Sequence, residues 1–243
     1  VQFRRLDAHR PGRAGAAIAG GQLGGDDVHR FRRRGRTRRK TGLESLVRNN
    51  GGQASVRPTK PTTSLDVRTI EDHGRIPADL DTAILLTLAA CYPEHRDMFA
   101  RTRHWRGHVA AYRVIALDGG VVAAHVAVVD CTIRVGEASV RVAGVGQVAA
   151  LPPYRKTGLI DGLLARAVDE AKDRGFDVGM LFCQERVRRV YERNGWIDIT
   201  DRPCTRTEAG ERILMPPDHL RMMVPLAMAE LPPGSIDLAG DKW

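Results

Sequence analysis

Between Ser139 and Phe182 the chain runs strand, loop, helix, strand, and that order confines it to folds with a crossover unit in a mixed sheet. Ser139 to Ala143 begins a strand. Gly144 to Leu151 continues it through two glycines, Gly144 and Gly146, which inside a strand signal a bulge or a close backbone approach. Leu159, Leu163, Leu164, Ala167, Val168 and Ala171 then recur on one helical face. Gly175 ends that helix, and Val178 to Phe182 is a short, wholly apolar strand.

The flanking sequence extends the pattern. Leu65 to Ile70 alternates apolar and polar residues as a half-buried strand does. Pro77-Ala78-Asp79 opens a helix through Ile84, Leu85, Leu88 and Ala89, with Asp79 as cap or first-turn acid, and Tyr92-Pro93 stops it. A second short helix is expected from Arg96 to Thr102. Tyr112 to Leu117 and Val121 to Ile133 read as strands joined by the tight turn Asp118-Gly119-Gly120. Glu185 to Asn194 reads as a short helix, and Trp196 to Ile199 and His219 to Leu226 as the last strands. The fold class is α/β, with a mixed sheet flanked by helices.

Charge divides the chain in two. Residues 1–60 carry 15 Lys and Arg against 4 Asp and Glu, a net of +11, so the remaining 183 residues carry −2. The first segment holds the glycine cluster from Gly20 to Gly25 and the basic run from Arg30 to Lys40. Such a composition buries little apolar surface, and 1–60 is expected to be a disordered basic extension, native or not, with the catalytic domain over 64–243. An arm that binds polyanions is the functional alternative. No apolar run reaches the 18 residues of a membrane span, and no compact signal sequence is evident. Cys91, Cys131, Cys183 and Cys204 form no C-x-x-C pair and no His cluster has zinc spacing, so free thiols in a reducing cytoplasm and no metal are expected.

The chemistry concentrates where the glycine-interrupted strand meets the amphipathic helix, from Gln147 to Leu164. A helix start exposes unpaired N–H groups and the positive end of the dipole. Arg155 and Lys156 add charge, and Gly158 lets backbone approach a ligand. The residues by themselves point either to a phosphate or pyrophosphate site or to an ordinary loop-to-helix junction with surface arginines.

Pro152-Pro153-Tyr154-Arg155-Lys156-Thr157-Gly158-Leu159 resembles the acetyl-CoA signature Arg/Gln-x-x-Gly-x-Gly/Ala of the GCN5-related (GNAT) N-acetyltransferases, with Ile160 in place of the second small residue. Arg186 to Trp196 resembles a second GNAT stretch, A-x-x-L-Y-x-x-x-G-F/W. The resemblance implies a GNAT fold: a mostly antiparallel sheet whose bulged strand precedes the CoA-binding helix. It implies acetyl-CoA or another acyl-CoA as co-substrate, held by Val148, Ala149, Ala150, Arg155, Lys156, Thr157, Gly158, Leu159 and Ile160. Backbone N–H groups of Val148–Ala150 would hydrogen-bond the thioester oxygen. Tyr191 would protonate the departing thiolate, since a phenol of pKa about 10 is still an acid at neutral pH; a tyrosine that only packs its ring is the alternative.

The stretch from Ala124 to Val129, the segment Ile133 to Gly136 and the chain end from Pro225 to Trp243 resemble the aminoglycoside 2′-N-acetyltransferases and the rhizobial nodulation N-acyltransferase, which both acylate an amine on a sugar. That branch implies a small-molecule amine acceptor, an amino sugar or an aminoglycoside-like compound, held by Asp241 and Trp243 with its terminal carboxylate. In the aminoglycoside enzymes a Glu stands where Gly146 falls here, so the base must be an ordered water, His125 or the C-terminal carboxylates; a core histidine is the other reading of His125. Homodimerisation is left open, and nucleic acid and membrane are set aside as partners. A silent CoA-binding module, supported by Gly146 and Ile160, and a nucleic-acid binder using the arginine-rich arm are the alternatives from other classes.

Overall fold

The computed structural model describes residues 64–73, 76–241 and 243. The basic segment 1–60 lies outside them. In chain order the elements are β1 (Asp66–Glu71), α1 (Ala78–Cys91), α2 (Arg96–Phe99), β2 (Tyr112–Asp118), β3 (Val121–Val135), β4 (Ala138–Ala150), α3 (Leu159–Asp173), β5 (Val178–Cys183), α4 (Arg188–Glu192), β6 (Ile197–Asp198), β7 (Cys204–Glu208), β8 (Glu211–Leu214), β9 (Leu220–Pro225) and β10 (Ile236–Asp237).

β3 organises the sheet because it outruns any single neighbour. β2 pairs with its first half and β10 with Val135 and Arg134, both antiparallel, while β4 pairs along most of its length on the other edge. β4 and β5 are parallel, as the crossover through α3 requires. β9 pairs antiparallel with β5 and β6 with β9; on the far side β7 runs parallel to β10 and forms a hairpin with β8. The sheet is therefore mixed and mostly antiparallel.

Helices cover both faces. Leu163, Leu164, Ala167 and Ala171 of α3 are buried against Tyr112, Val114, Val126, Val128 and Val145. On the opposite face Ile84 and Leu88 of α1 and Phe99 of α2 pack on Ile115, Val122 and Ala149. Beside them the chain end is part of the core: Trp243, 7% exposed, sits among Val140, Val142, Val178 and Met180. Its ring lies 5.1 Å from that of Phe182.

The first of the two β4 glycines is explained by that tryptophan. A Cβ on Gly144 would stand 2.6 Å from Trp243 Cε2, and one on Gly146 3.8 Å from Trp243 Cδ1. Gly144 is therefore a site of close approach, while the Gly146 contact is ordinary van der Waals packing. The bulge falls next to them: His125 pairs with Ala149 but Ala127 with Gly146, so β4 carries one extra residue. Gln147 occupies the kink with φ +51°, a left-handed conformation rare outside glycine.

Several elements differ from the sequence expectation. The second helix ends at Phe99, short of Thr102. The expected helix from Glu185 to Asn194 opens as a 3₁₀ turn, Glu185–Val187, before α4. Asp79 is a first-turn acid of α1 and makes no cap bond. β7, β8 and β10 have no counterpart in the sequence reading. The four cysteines are free thiols. Among the described residues no helix is long and apolar enough to cross a membrane.

Candidate active site

A cleft opens where β4 and β5 part. Their parallel pairing stops at Val145↔Leu181, while β4 runs on to Ala150 and β5 to Cys183. The bulge at Gln147 causes the divergence, because an extra residue on one strand turns the edge beyond it away from its neighbour. The opening has a volume of about 740 Å³ and is lined by Val148, Ala149 and Ala150 of β4, by Tyr154, Arg155, Lys156 and Gly158 but not Thr157 of the turn, by the start of α3, by Tyr191 on α4, and by Cys91 and Tyr92 at the end of α1. That volume suits a small-molecule ligand.

At its mouth the backbone is shaped for an anion. Lys156 has φ +62° and Gly158, the residue before α3, φ +83°. Gly158 has nothing within 4 Å of an added Cβ, so its face is open. The first α3 bond that returns to this residue comes from Gly162 N to Gly158 O at 3.2 Å, which leaves the N–H groups of the first turn without helical partners. The turn is pinned from both sides. Tyr154 donates its hydroxyl to Asp118 at 2.6 Å, Thr157 donates to Tyr154 O at 2.8 Å, and Arg155 Nε donates to Ala150 O at 2.9 Å. Arg155 thus spends one N–H on β4. Ile160 is half-buried and packs on the α3-side core, so the branched residue is absorbed by packing.

Tyr191 reaches the same cleft from the far wall, 8% exposed. Burial, and secondarily the Cys183 sulfur, push its pKa well above the ordinary phenol value. It is a neutral O–H donor throughout the neutral range. Tyr92 stands nearby and donates its hydroxyl to Val148 O at 2.9 Å. The sequence reading missed Tyr92 and Cys91; taken as the end of a helix, they carry no signal for a cleft that only the fold creates.

The remaining expected site residues fare differently. Asp241 accepts from Arg106 Nη1 and Arg206 Nη1, each at 2.8 Å, so its carboxylate is met by two guanidiniums. Trp243 is a packing residue over Gly144. His125 is fully buried and both its nitrogens are engaged: Nδ1 faces Gln147 O at 2.9 Å and Nε2 faces Arg113 Nη1 at 3.0 Å. It is a satisfied core histidine and is removed from the candidate bases. Arg113, 1% exposed, is held by Asp72, whose carboxylate accepts from its Nε and Nη2 at 3.0 Å each. Burial raises the Asp72 pKa, yet the bonds and charges of Arg113 and Arg103 outweigh it and hold the group at about 2. An arginine inside the otherwise apolar run Tyr112–Leu117 was the sequence signal for this cluster, and it passed unread.

Burial and the Arg113 charge depress the His125 pKa to about 3. An unfolded histidine takes a proton below about 6.5, the native one only near 3, so stability is complete above 6.5 and lost as pH falls through that window. His104, also depressed by burial, adds to the slope. Urea unfolding between pH 7 and 4.5 is expected to show His125 contributing about 1.4 kcal/mol per pH unit below about 6, a part that His125→Gln removes. An unchanged slope in that variant would show that His125 is accessible to protons in the native state.

Comparison with known proteins agrees with this architecture. Residues 78–197 match the family model described as an acetyltransferase (GNAT) domain. A GNAT family N-acetyltransferase from Escherichia coli, solved in complex with CoA, is 17% identical; the match covers 74% of this chain and 92% of that one with a TM-score of 0.50, which shows the fold. A GCN5-related N-acetyltransferase from Kribbella flavida is 19% identical over 56% of this chain and 34% of that one, with a TM-score of 0.42. This chain therefore spans about a third of the length of that protein. An acyl-CoA N-acyltransferase from Pseudomonas aeruginosa is 18% identical over 66% of this chain and 99% of that one, with a TM-score of 0.46. No curated protein matches the sequence.

Proposed function

We propose that this chain, with a GNAT acetyltransferase domain over residues 78–197 and a GNAT fold, transfers an acyl group from acyl-CoA directly to a primary amine of a small molecule. The observation that carries the reading is the cleft on which the parted edge of β4, the open turn at Gly158 and the Tyr191 phenol all converge. The pyrophosphate binds at the start of α3, against the free N–H groups, Lys156 and the Arg155 guanidinium. The pantetheine arm lies between β4 and β5 and adds its own amides to the edge that β5 has left. Thr157, Leu159 and Ile160 shape the mouth, and Val148, Ala149 and Ala150 line the inner part.

The thioester carbonyl then lies by the Val148 N–H, which stabilises the oxyanion as the amine attacks. The C–N bond forms, the C–S bond breaks, and the Tyr191 hydroxyl donates to the sulfur as its charge grows. The amine proton leaves to water, since His125 is locked inside the core, and a proton taken back from water restores the Tyr191 phenol. The acceptor is an amino sugar or related amine; Asp241 and Trp243 do not line the cleft, so any contact of theirs with it lies outside the opening described above. The resemblance of the chain end to amino-sugar acyltransferases supports that choice.

Two measurements test this. Calorimetry should show CoA binding to the wild type and a loss of about tenfold or more in Arg155→Ala, because a charge-assisted bond to phosphate contributes about 1.5–3 kcal/mol. Gly158→Ala should weaken CoA too, with about 1 kcal/mol of stability lost to its left-handed backbone. A screen of amino sugars and aminoglycosides with detection of released thiol then identifies the acceptor. CoA affinity unchanged in both variants would remove the site, and CoA binding without turnover on any amine would favour a silent CoA-binding module.

A further inference from the structure

The kinked residue of β4 is held by more side-chain bonds than a bulge needs. Gln147 Oε1 accepts from Arg113 Nη1 at 2.7 Å, and Gln147 Nε2 donates to Arg103 O at 2.7 Å. Its backbone carbonyl faces His125 Nδ1 at 2.9 Å. Arg113 in turn is clamped by Asp72, which also accepts from Arg103 Nε at 2.7 Å.

This arrangement determines the histidine tautomer. A guanidinium only donates, so His125 Nε2, facing Arg113 Nη1 at 3.0 Å, must be the acceptor. The proton therefore sits on Nδ1 and is donated to Gln147 O. The peptide that joins Gln147 to Val148 is planar and trans, so its C=O and N–H point in opposite directions. His125 belongs to β3. Its hold draws the Gln147 carbonyl toward β3, and so turns the Val148 N–H toward the open edge of β4, the side on which β5 has departed. The Tyr92 hydroxyl fixes the next peptide through Val148 O at 2.9 Å.

We infer that the buried chain Asp72–Arg113–His125, acting through Gln147, is a positioning device that aims the Val148 N–H at the thioester oxygen of a bound acyl-CoA. The inference rests on the acyl-CoA reading of the cleft. Accepting a hydrogen bond at the Gln147 carbonyl also polarises that peptide, which strengthens its N–H as a donor. Asp72, Arg113 and His125, like Gln147, are not among the residues that line the cleft. They hold a left-handed residue in place, and the energy of that conformation is sustained by the surrounding bonds. A network that served only core stability would leave the bound thioester indifferent to its removal.

The test reads the thioester itself. Acetyl-CoA labelled with ¹³C at the carbonyl is bound to the full chain, and its C=O stretch is followed by isotope-edited infrared spectroscopy, with CoA affinity measured separately. In the wild type the band should move to lower frequency than in water-free solvent or in an unaligned complex. His125→Leu, which deletes the donor, should return it upward. His125→Gln, which keeps an N–H, should retain part of the shift. Gln147→Gly is the variant to use if His125→Leu fails to fold: it relieves the left-handed backbone and removes the two side-chain tethers but keeps the carbonyl that His125 holds, so it should lose part of the shift. All should bind CoA as the wild type does, and with an acceptor in hand His125→Leu should lower kcat about 10²-fold at unchanged KM for acyl-CoA. A carbonyl band identical in wild type and variants would overturn the inference while leaving the cleft reading intact. Failure of the wild type to bind acetyl-CoA would overturn both.

Discussion

Replacing Gly144 with valine is expected to destabilise the fold by about 3 kcal/mol, through the indole of Trp243. The new Cβ would stand 2.6 Å from Cε2 and 2.8 Å from both Cδ2 and Nε1, atoms of a rigid ring. The ring has little room to yield, since Phe182 flanks it and the Val140, Val142 and Met180 side chains pack beneath. Either the strand shifts or the tryptophan leaves, and loss of a buried tryptophan costs about 3–5 kcal/mol. Thermal unfolding should fall by on the order of 10 °C for a domain of this size. Trp243→Ala should give a loss of similar size, and the pair should be strongly non-additive: once the ring is gone, the valine fills its space. Additive losses in the double variant would show that Gly144 is required for some reason other than the ring. The same result bears on deletions of the chain end, which would remove a core residue together with whatever acceptor contact Asp241 makes.

Tyr191→Phe is expected to lower kcat by about 10²-fold with acyl-CoA affinity and stability nearly unchanged. The phenyl ring keeps its packing against Trp196, whose centroid lies 6.2 Å away, and no side-chain hydrogen bond of the hydroxyl is among the bonds that hold the fold. The raised pKa has a mechanistic consequence. A buried phenolate is costly, so the hydroxyl serves best as a donor to the sulfur as charge builds, with the proton crossing late. The rate of the wild type should therefore show no basic limb from Tyr191 below the ordinary phenol pKa of about 10. The measurement is single-turnover transfer to a saturating amine, which isolates chemistry from product release. Wild-type single-turnover rates in the phenylalanine variant would leave Tyr191 as a packing residue. A parallel fall in CoA affinity would make it a binding contact.

Much of the architecture was legible because local patterns and tertiary demands agreed. The α3 stripe, the apolar β5 run and the basic turn between Pro152 and Gly158 each carry their own signal, and together they place the crossover and the mouth of the cleft. The hairpin of β7 and β8 was illegible for the opposite reason. Its residues are polar and mostly half-exposed or exposed, and its turn uses Ala209 at φ +52° with Gly210 at φ +85°. No alternation and no Asn-Gly or Asp-Gly pair announces such a turn. β10 is two residues held by partners far away in sequence, so nothing local could indicate it.

The site divides along the same line. The sequence by itself determined the basic turn before α3, the tyrosine on the far wall and the existence of an irregularity in β4, because turn chemistry, helix starts and glycines in strands are local properties. Only the tertiary structure decided that the irregularity is a bulge at Gln147, that Gly144 near it makes room for Trp243, and that His125 is held neutral between Arg113 and a backbone carbonyl. Those outcomes depend on contacts between residues 12 to about 100 positions apart, where the stability of a buried charge or a left-handed backbone is set by its partners, and no window along the chain contains both halves of the pair.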